Sequence, residues 1–174
     1  MNLKCSIVIP IYNEQDAVIQ TIEQICSIME DTDFQYEIVL VDDGSTDQTA
    51  DNLDGFIGDK YNNIKLIHHE WNQGYGAALK TGIKSSVNEI IVITDADGTY
   101  PNNDIPELLS HIDQYDMVVG ARTGRNVKIP LVRKPAKWMI NKLANYLSGY
   151  KIPDLNSGLR VMKKDLVEKY IMII

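Results

Sequence analysis

Ile90-Ile91-Val92-Ile93-Thr94-Asp95-Ala96-Asp97-Gly98-Thr99-Tyr100-Pro101 is an apolar run that stops at two carboxylates one residue apart. Successive Ile and Val residues suit a strand covered on both faces. Gly98 and Pro101 end that strand and put both Asp side chains in the loop that follows. A strand buried this way belongs to an α/β sheet, where ligands sit at the carboxyl ends of the strands. Two carboxylates this close repel unless a cation neutralises them. Hard oxygen donors with room for water suit Mg2+ or Mn2+ carrying a diphosphate. Taken alone, the stretch also fits a solvated turn, because Asp and Gly are common turn residues.

The segments before it have the same build. Residues 6–11 form a short apolar run closed by Pro10 and by Tyr12-Asn13-Glu14, a first strand entering a loop. Asn13 is placed to cap the next helix. From Glu14 to about Met29, the apolar residues Val18, Ile22, Ile25 and Met29 recur at three- and four-residue steps, the mark of an amphipathic helix. Residues 36–41 give a second strand, which ends in Asp42-Asp43-Gly44-Ser45-Thr46-Asp47. Ser45 or Thr46 can cap a helix over residues 47–58, whose N-terminal amides would face the same sheet edge as Asp95 and Asp97. A cap and a turn account for residues 45–47 but leave one member of the pair Asp42 and Asp43 unexplained.

A third strand over residues 64–68 leads to Trp71-Asn72-Gln73-Gly74-Tyr75-Gly76, and Ala77, Ala78, Leu79 and Ile83 open another helix. The glycines allow either close backbone approach to a ligand or a tight turn. The full GxGxxG fingerprint of a dinucleotide site is missing. His68, His69 and His111 have no metal-like spacing with Cys5 and Cys26, and read as ordinary strand-end and helix residues. Beyond Pro101, Asp104 starts a helix with Pro106 in its first turn. Residues 116–120 form a fifth strand delivering Ala121-Arg122, and residues 154–162 are a loop entering a strand, with a helix from Asp165. This alternation implies an α/β fold with a mostly parallel sheet, right-handed crossovers and helices on both faces.

A length of 174 residues with 44% hydrophobic and 24% charged residues points to one globular domain. The net charge of −7 argues against general nucleic-acid binding, yet it conceals an asymmetry. Residues 117–153 contain no acid, but carry Arg122, Arg125, Lys128, Arg133, Lys134, Lys137, Lys142 and Lys151, so an anionic partner is expected there. Within it, Trp138, Met139, Leu143, Tyr146 and Leu147 share one side of a helix flanked by Lys137 and Lys142. Residues 122–151 thus read either as a membrane-interfacial segment at headgroup depth or as a helix packed on a core. Two isolated cysteines fit a reducing compartment. No run approaches the roughly 20 apolar residues of a membrane span, and no secretory signal opens the chain. The apolar residues 170–174 lead us to expect either further native sequence after them or a tail that docks on something.

Five motifs stand in order along the chain: Pro10-Ile11-Tyr12-Asn13-Glu14, Asp42-Asp43-Gly44-Ser45-Thr46-Asp47, Asn72-Gln73-Gly74, Asp95-Ala96-Asp97-Gly98 and Asp154-Leu155-Asn156-Ser157-Gly158-Leu159-Arg160. Together they resemble glycosyltransferase family 2, and within it the branch of dolichyl-phosphate mannose synthase and the polyprenyl-phosphate glycosyltransferases. The resemblance implies a Rossmann-like nucleotide-diphospho-sugar transferase (GT-A) fold. It implies an inverting transfer from a UDP- or GDP-sugar to a polyprenyl phosphate, at the cytoplasmic face of a membrane. Pro10, Tyr12, Glu14, Asp42, Asp43 and Gly74 would then hold the nucleotide, and Asp95 and Asp97 the metal, Mg2+ or Mn2+. Arg122 and Arg133 match basic positions that handle phosphates, where a planar guanidinium suits bidentate contact. Ser157 lies in the matching acceptor-side loop, and Asp154 is the candidate base were the acceptor a sugar hydroxyl. Many members carry Leu-Gln after the paired acids, where this chain has Gly98-Thr99. Members also usually continue past the final strand, often into transmembrane helices, so residues 1–174 would be either a single catalytic domain truncated at its C-terminus or an unusually short full enzyme. Transfer to a saccharide hydroxyl and a catalytically idle nucleotide-sugar-binding domain stay open as alternatives.

Overall fold

The computed structural model describes residues 3–58, 61–121, 142, 143, 145–147, 149, 154 and 157–170. The chain forms two compact units, one of Met1–Val119 with Gly158–Ile174 and one of Gly120–Ser157. In the first unit the strands are β1 (Lys4–Ile11), β2 (Gln35–Asp42), β3 (Ile64–His68), β4 (Ile90–Ile93), β5 (Met117–Val119) and β6 (Arg160–Lys163). The helices are α1 (Val18–Glu30), α2 (Thr49–Ile57), α3 (Tyr75–Ser85), α4 (Ile105–Ser110) and α5 (Lys164–Tyr170), with a 3-10 turn at Asn102–Asp104 before α4.

The six strands lie in the order β3-β2-β1-β4-β6-β5. β1 runs parallel to β2 and β4, and β2 parallel to β3, so the expected mostly parallel sheet is present. The regular alternation breaks at one place: β6 inserts between β4 and β5 and runs antiparallel to both. Its central residues Val161 and Met162 are both buried, one in each core, and a short strand covered on both faces carries no mark of its direction in its own sequence.

Each central strand serves two cores by the two-residue period of the pleat. Ile7, Ile9 and Ile11 of β1, Ile38 and Leu40 of β2 and Val92 of β4 pack with α1, α2 and α4. Val8, Val39, Val41, Ile91 and Ile93 point the other way, against Ala78 and Ile83 of α3 and Val167 of α5. Helices therefore cover both faces. α3 approaches closely because of Gly82: a Cβ there would lie 2.4 Å from Val8 Cγ1 and 3.3 Å from Val41 Cγ2.

In the second unit, residues 142, 143 and 145–147 are helical, with Leu143, Tyr146 and Leu147 exposed. Trp138 and Met139 of the expected interfacial helix lie outside the described residues.

Candidate active site

Because β1, β2, β3 and β4 are parallel, their carboxyl ends and the loops after them share one sheet edge. A cleft of ≈ 320 Å³ opens there, lined by Pro10, Tyr12, Glu14, Asp43, Gly74, Asp95 and Asp97 together with Ile11, Asn72, Tyr75, Ala78 and Ala96. Seven of the residues singled out in the sequence thus meet in one place. Asp42 lines an adjoining hollow of ≈ 440 Å³ with Ser45, Thr46, His68 and Trp71, and the two hollows share Tyr12 and Asn72.

Asp43 is 2% exposed and is held by its own fold. Its Oδ1 accepts from the Gln73 N–H at 3.0 Å and from His69 Nδ1 at 2.6 Å, and its Oδ2 from the Gly74 N–H at 2.8 Å. Burial raises the Asp43 pKa, but these hydrogen bonds, led by Gln73, favour the charged form and the net shift is downward. His69 reaches Thr81 Oγ1 of α3 through its Nε2 at 2.9 Å. Asp42 takes the Ser45 N–H at 3.1 Å and His68 Nδ1 at 2.9 Å. Burial works against the charged form of His68, yet hydrogen bonds to Asp42 and Asp54 outweigh it and hold the imidazolium above its ordinary range. A carboxylate can only accept, so Nδ1 carries the proton in both His–Asp pairs.

This corrects the reading of His68 and His69 as ordinary residues. The missed signal is register: two adjacent strands end in Asp42-Asp43 and His68-His69, and parallel pairing sets Asp42 beside His68. The capping expectations also change. α1 begins at Val18 and α2 at Thr49, neither with a side-chain cap hydrogen bond at the residue before it. Asn13 stands in the left-handed region at φ 56° and its Oδ1 accepts the Thr46 N–H at 2.8 Å. Ser45 Oγ accepts the Asn13 N–H at 2.9 Å, while Asp47 Oδ1 takes the Thr49 N–H at 2.9 Å. These polar side chains lace the β1 and β2 loops to each other. Gly44, at φ +68°, passes so close to the Trp71 backbone that a Cβ would meet its carbonyl carbon at 2.4 Å.

On the other wall, Tyr75 Oη donates to Asp95 Oδ1 at 2.9 Å. Burial and then the Asp95 charge push the Tyr75 phenol up, which keeps it a donor. Asp97 Oδ1 accepts from Thr99 Oγ1 at 2.7 Å and from the Thr99 N–H at 2.9 Å. Gly158 is packed against Asp95: a Cβ there would lie 2.7 Å from Asp95 Oδ2 and 2.8 Å from the Tyr100 ring. The ends of this loop are tied by Thr94 Oγ1 donating to Asn102 Oδ1 at 2.8 Å and Thr21 Oγ1 donating to the Ala96 carbonyl at 3.0 Å.

Burial, then the charges of Asp97, Asp47 and Asp95, raise the Glu14 carboxyl above its usual value. The cleft therefore carries concentrated negative charge. Among the described residues no group of three or more His, Cys, Asp or Glu side chains forms a closed metal cage. A Mg2+-type ion is held by one or two carboxylates and completed by phosphate and water. Asp95 and Asp97 in an open cleft fit that requirement.

Asp154 and Ser157 belong to the Gly120–Ser157 unit. Asp154 is 6% exposed, and Ser157 is buried with its hydroxyl donating to the Gly120 carbonyl. Arg122 and Arg133 lie outside the described residues.

A parallel sheet edge with this cleft and an antiparallel β6 defines the GT-A class of glycosyltransferase folds. A mannosyltransferase of Pyrobaculum calidifontis, solved with GDP-Man and Mn2+, superposes with a TM-score of 0.71 at 22% identity over 95% of this chain and 46% of that one. Glucosyl-3-phosphoglycerate synthase of Mycobacterium tuberculosis, solved with UDP, gives 0.71 at 20% identity over 95% of this chain and 58% of its own. The chain belongs to glycosyl transferase family 2, whose model matches residues 6–171. A dodecaprenyl-phosphate galacturonate synthase of Rhizobium johnstonii is 29% identical over 170 residues, 97% of this chain and 50% of the relative. An undecaprenyl-phosphate 4-deoxy-4-formamido-L-arabinose transferase of Yersinia enterocolitica is 34% identical over 166 residues, 95% of this chain and 50% of the relative. The chain thus spans about half the length of the curated relatives it matches.

Proposed function

We propose that this chain is the catalytic domain of a metal-dependent glycosyltransferase that moves a sugar from a UDP- or GDP-sugar to a polyprenyl phosphate, with inversion at the anomeric carbon. The observation that carries the reading is the one cleft lined by both Asp43 and the pair Asp95 and Asp97. Relatives whose names give dodecaprenyl and undecaprenyl phosphate as their substrates support the lipid acceptor.

In this reading Pro10, Tyr12, Glu14, Asp42, Asp43 and Gly74 form the nucleoside side. Carboxylates there suit the N–H and O–H groups of base and ribose. Asp95 and Asp97 would hold Mg2+ or Mn2+, which when bound offsets charge on the departing diphosphate. The bond from the anomeric carbon to the diphosphate oxygen breaks as a bond to an acceptor phosphate oxygen forms on the opposite face. A phosphate monoester, with a second pKa of about 6, is already ionised near neutral pH. It needs placement more than a base, a task we assign to Arg122 and Arg133, with Ser157 on the acceptor side. Asp154 would serve as base only for a hydroxyl acceptor. Contact of the basic segment with an anionic membrane surface would bring the domain to its lipid.

The test is turnover by the full-length protein with Mn2+, nucleotide-sugars and a short polyprenyl phosphate. Nucleoside diphosphate and glycolipid are the expected products, and Asp97→Ala lowers turnover by roughly a thousandfold, equivalent to about 4 kcal/mol. Transfer to a free glycan in place of lipid, or nucleotide binding with no transfer, overturns the reading.

A further inference from the structure

The two carboxylates of the acidic wall are each oriented by a hydroxyl from a different element. Tyr75 is the first residue of α3 and reaches Asp95 Oδ1 at 2.9 Å. Thr99 closes back on Asp97, placing its Oγ1 at 2.7 Å and its N–H at 2.9 Å from Oδ1. The terminal torsion of an Asp side chain is broad and roughly two-fold. Two neighbouring carboxylates left to themselves would turn apart to reduce their repulsion. A directed O–H donor fixes that torsion while using one of the roughly four acceptor sites of a carboxylate. For Asp95 the opposite side is closed as well, since the Gly158 backbone leaves no room for a Cβ beside Oδ2. Tyr75 also follows Gly74, whose N–H is bound by Asp43, so the nucleoside wall and the acidic wall are joined through two consecutive residues.

We propose that Tyr75 and Thr99 are positioning residues for a divalent cation, each presetting one carboxylate, Asp95 or Asp97, in the orientation that receives it. The inference rests on the metal reading of those two acids. The Thr99 hydroxyl is committed to Asp97. Tyr75 is 52% exposed, and Phe keeps its ring, so Tyr75→Phe removes the donor and little else. Outer-sphere partners of this kind are worth roughly 10–100-fold in metal affinity.

The experiment measures Mn2+ binding to the full-length protein by electron paramagnetic resonance, with saturating UDP or GDP present, alongside the melting midpoint without metal. Tyr75→Phe and Thr99→Val each weaken Mn2+ binding by about tenfold or more, while metal-free melting stays at the wild-type midpoint. Thr99→Ser, which keeps the hydroxyl, restores wild-type binding. Wild-type affinity in both Tyr75→Phe and Thr99→Val, with binding lost in Asp97→Ala, overturns the positioning roles and leaves the metal reading intact. Equal losses in Thr99→Ser and Thr99→Val overturn the role of the Thr99 hydroxyl. Absence of any Mn2+ binding that depends on Asp97 overturns the metal reading, and this inference with it.

Discussion

Asp43 accepts three hydrogen bonds from its own fold before any ligand arrives, two from the backbone of residues 73 and 74 and one from His69. It therefore staples the loop after β3 to the end of β2. Asp43→Asn keeps the shape but offers one acceptor oxygen and an NH2 that faces donors. We expect it to lower stability at neutral pH by roughly 2–3 kcal/mol, measured by denaturant unfolding. The folded Asp43 carboxyl lies below its ordinary value. Its contribution is full above the unfolded value of about 3.9 and is lost as pH falls through the folded value. The gap between wild type and variant should narrow as pH drops below about 4; a constant gap would rule out the ionised carboxylate as its source. The acid pair was legible in the sequence because two acids exceed what a turn requires. Its partners His68 and His69 were not, because their meeting depends on strand register.

At the scale of elements, two glycines in helices separate local preference from packing. Gly55 of α2 has open space around a would-be Cβ, whereas Gly82 of α3 has Val8 at 2.4 Å. Gly55→Ala should gain about 0.5–1 kcal/mol from helix propensity. Gly82→Ala carries the same gain but overpacks the sheet at a cost of about 1–3 kcal/mol. Thermal unfolding should therefore move up for the first and down for the second, by a few degrees per kcal/mol in a chain of this size. Equal upward shifts would mean α3 does not need its close approach. Elements read well where apolar spacing alone defines them, as in β1, β2, β4 and α1. Helix starts read poorly because Asn13 and Ser45 bond to each other's loops more than 30 residues away, a choice their local sequence does not contain. The antiparallel β6 escaped for a related reason: Val161 and Met162 are buried on opposite faces, and burial on both faces carries no direction.

For the molecule as a whole, charge is divided along the chain. Residues 117–153 hold eight of the 17 cationic side chains and none of the 24 acids, so they carry +8 against −15 in the remainder. Among the described residues no helix is long and apolar enough to cross a membrane. If the basic segment meets an anionic bilayer, each Lys or Arg contributes about 1 kcal/mol near the surface. Co-sedimentation with phosphatidylglycerol vesicles is then expected at low salt and should disappear near 1 M salt, where the Debye length is about 3 Å. Binding indifferent to salt would point to apolar insertion of the exposed Leu143, Tyr146 and Leu147. The place of β6 has a consequence for how this chain comes into being. Until residues 160–163 are made, β4 has an unpaired edge and β5 has no neighbour, because the strand that joins them comes about 40 residues later. At 5–20 residues per second a nascent chain would wait roughly 2–8 s with that gap open. The strand that closes it is preceded by Gly158, the residue seated against Asp95. Completion of the sheet and the seating of Gly158 against Asp95 thus come together late in biosynthesis, and a chain interrupted before residue 158 would lack both.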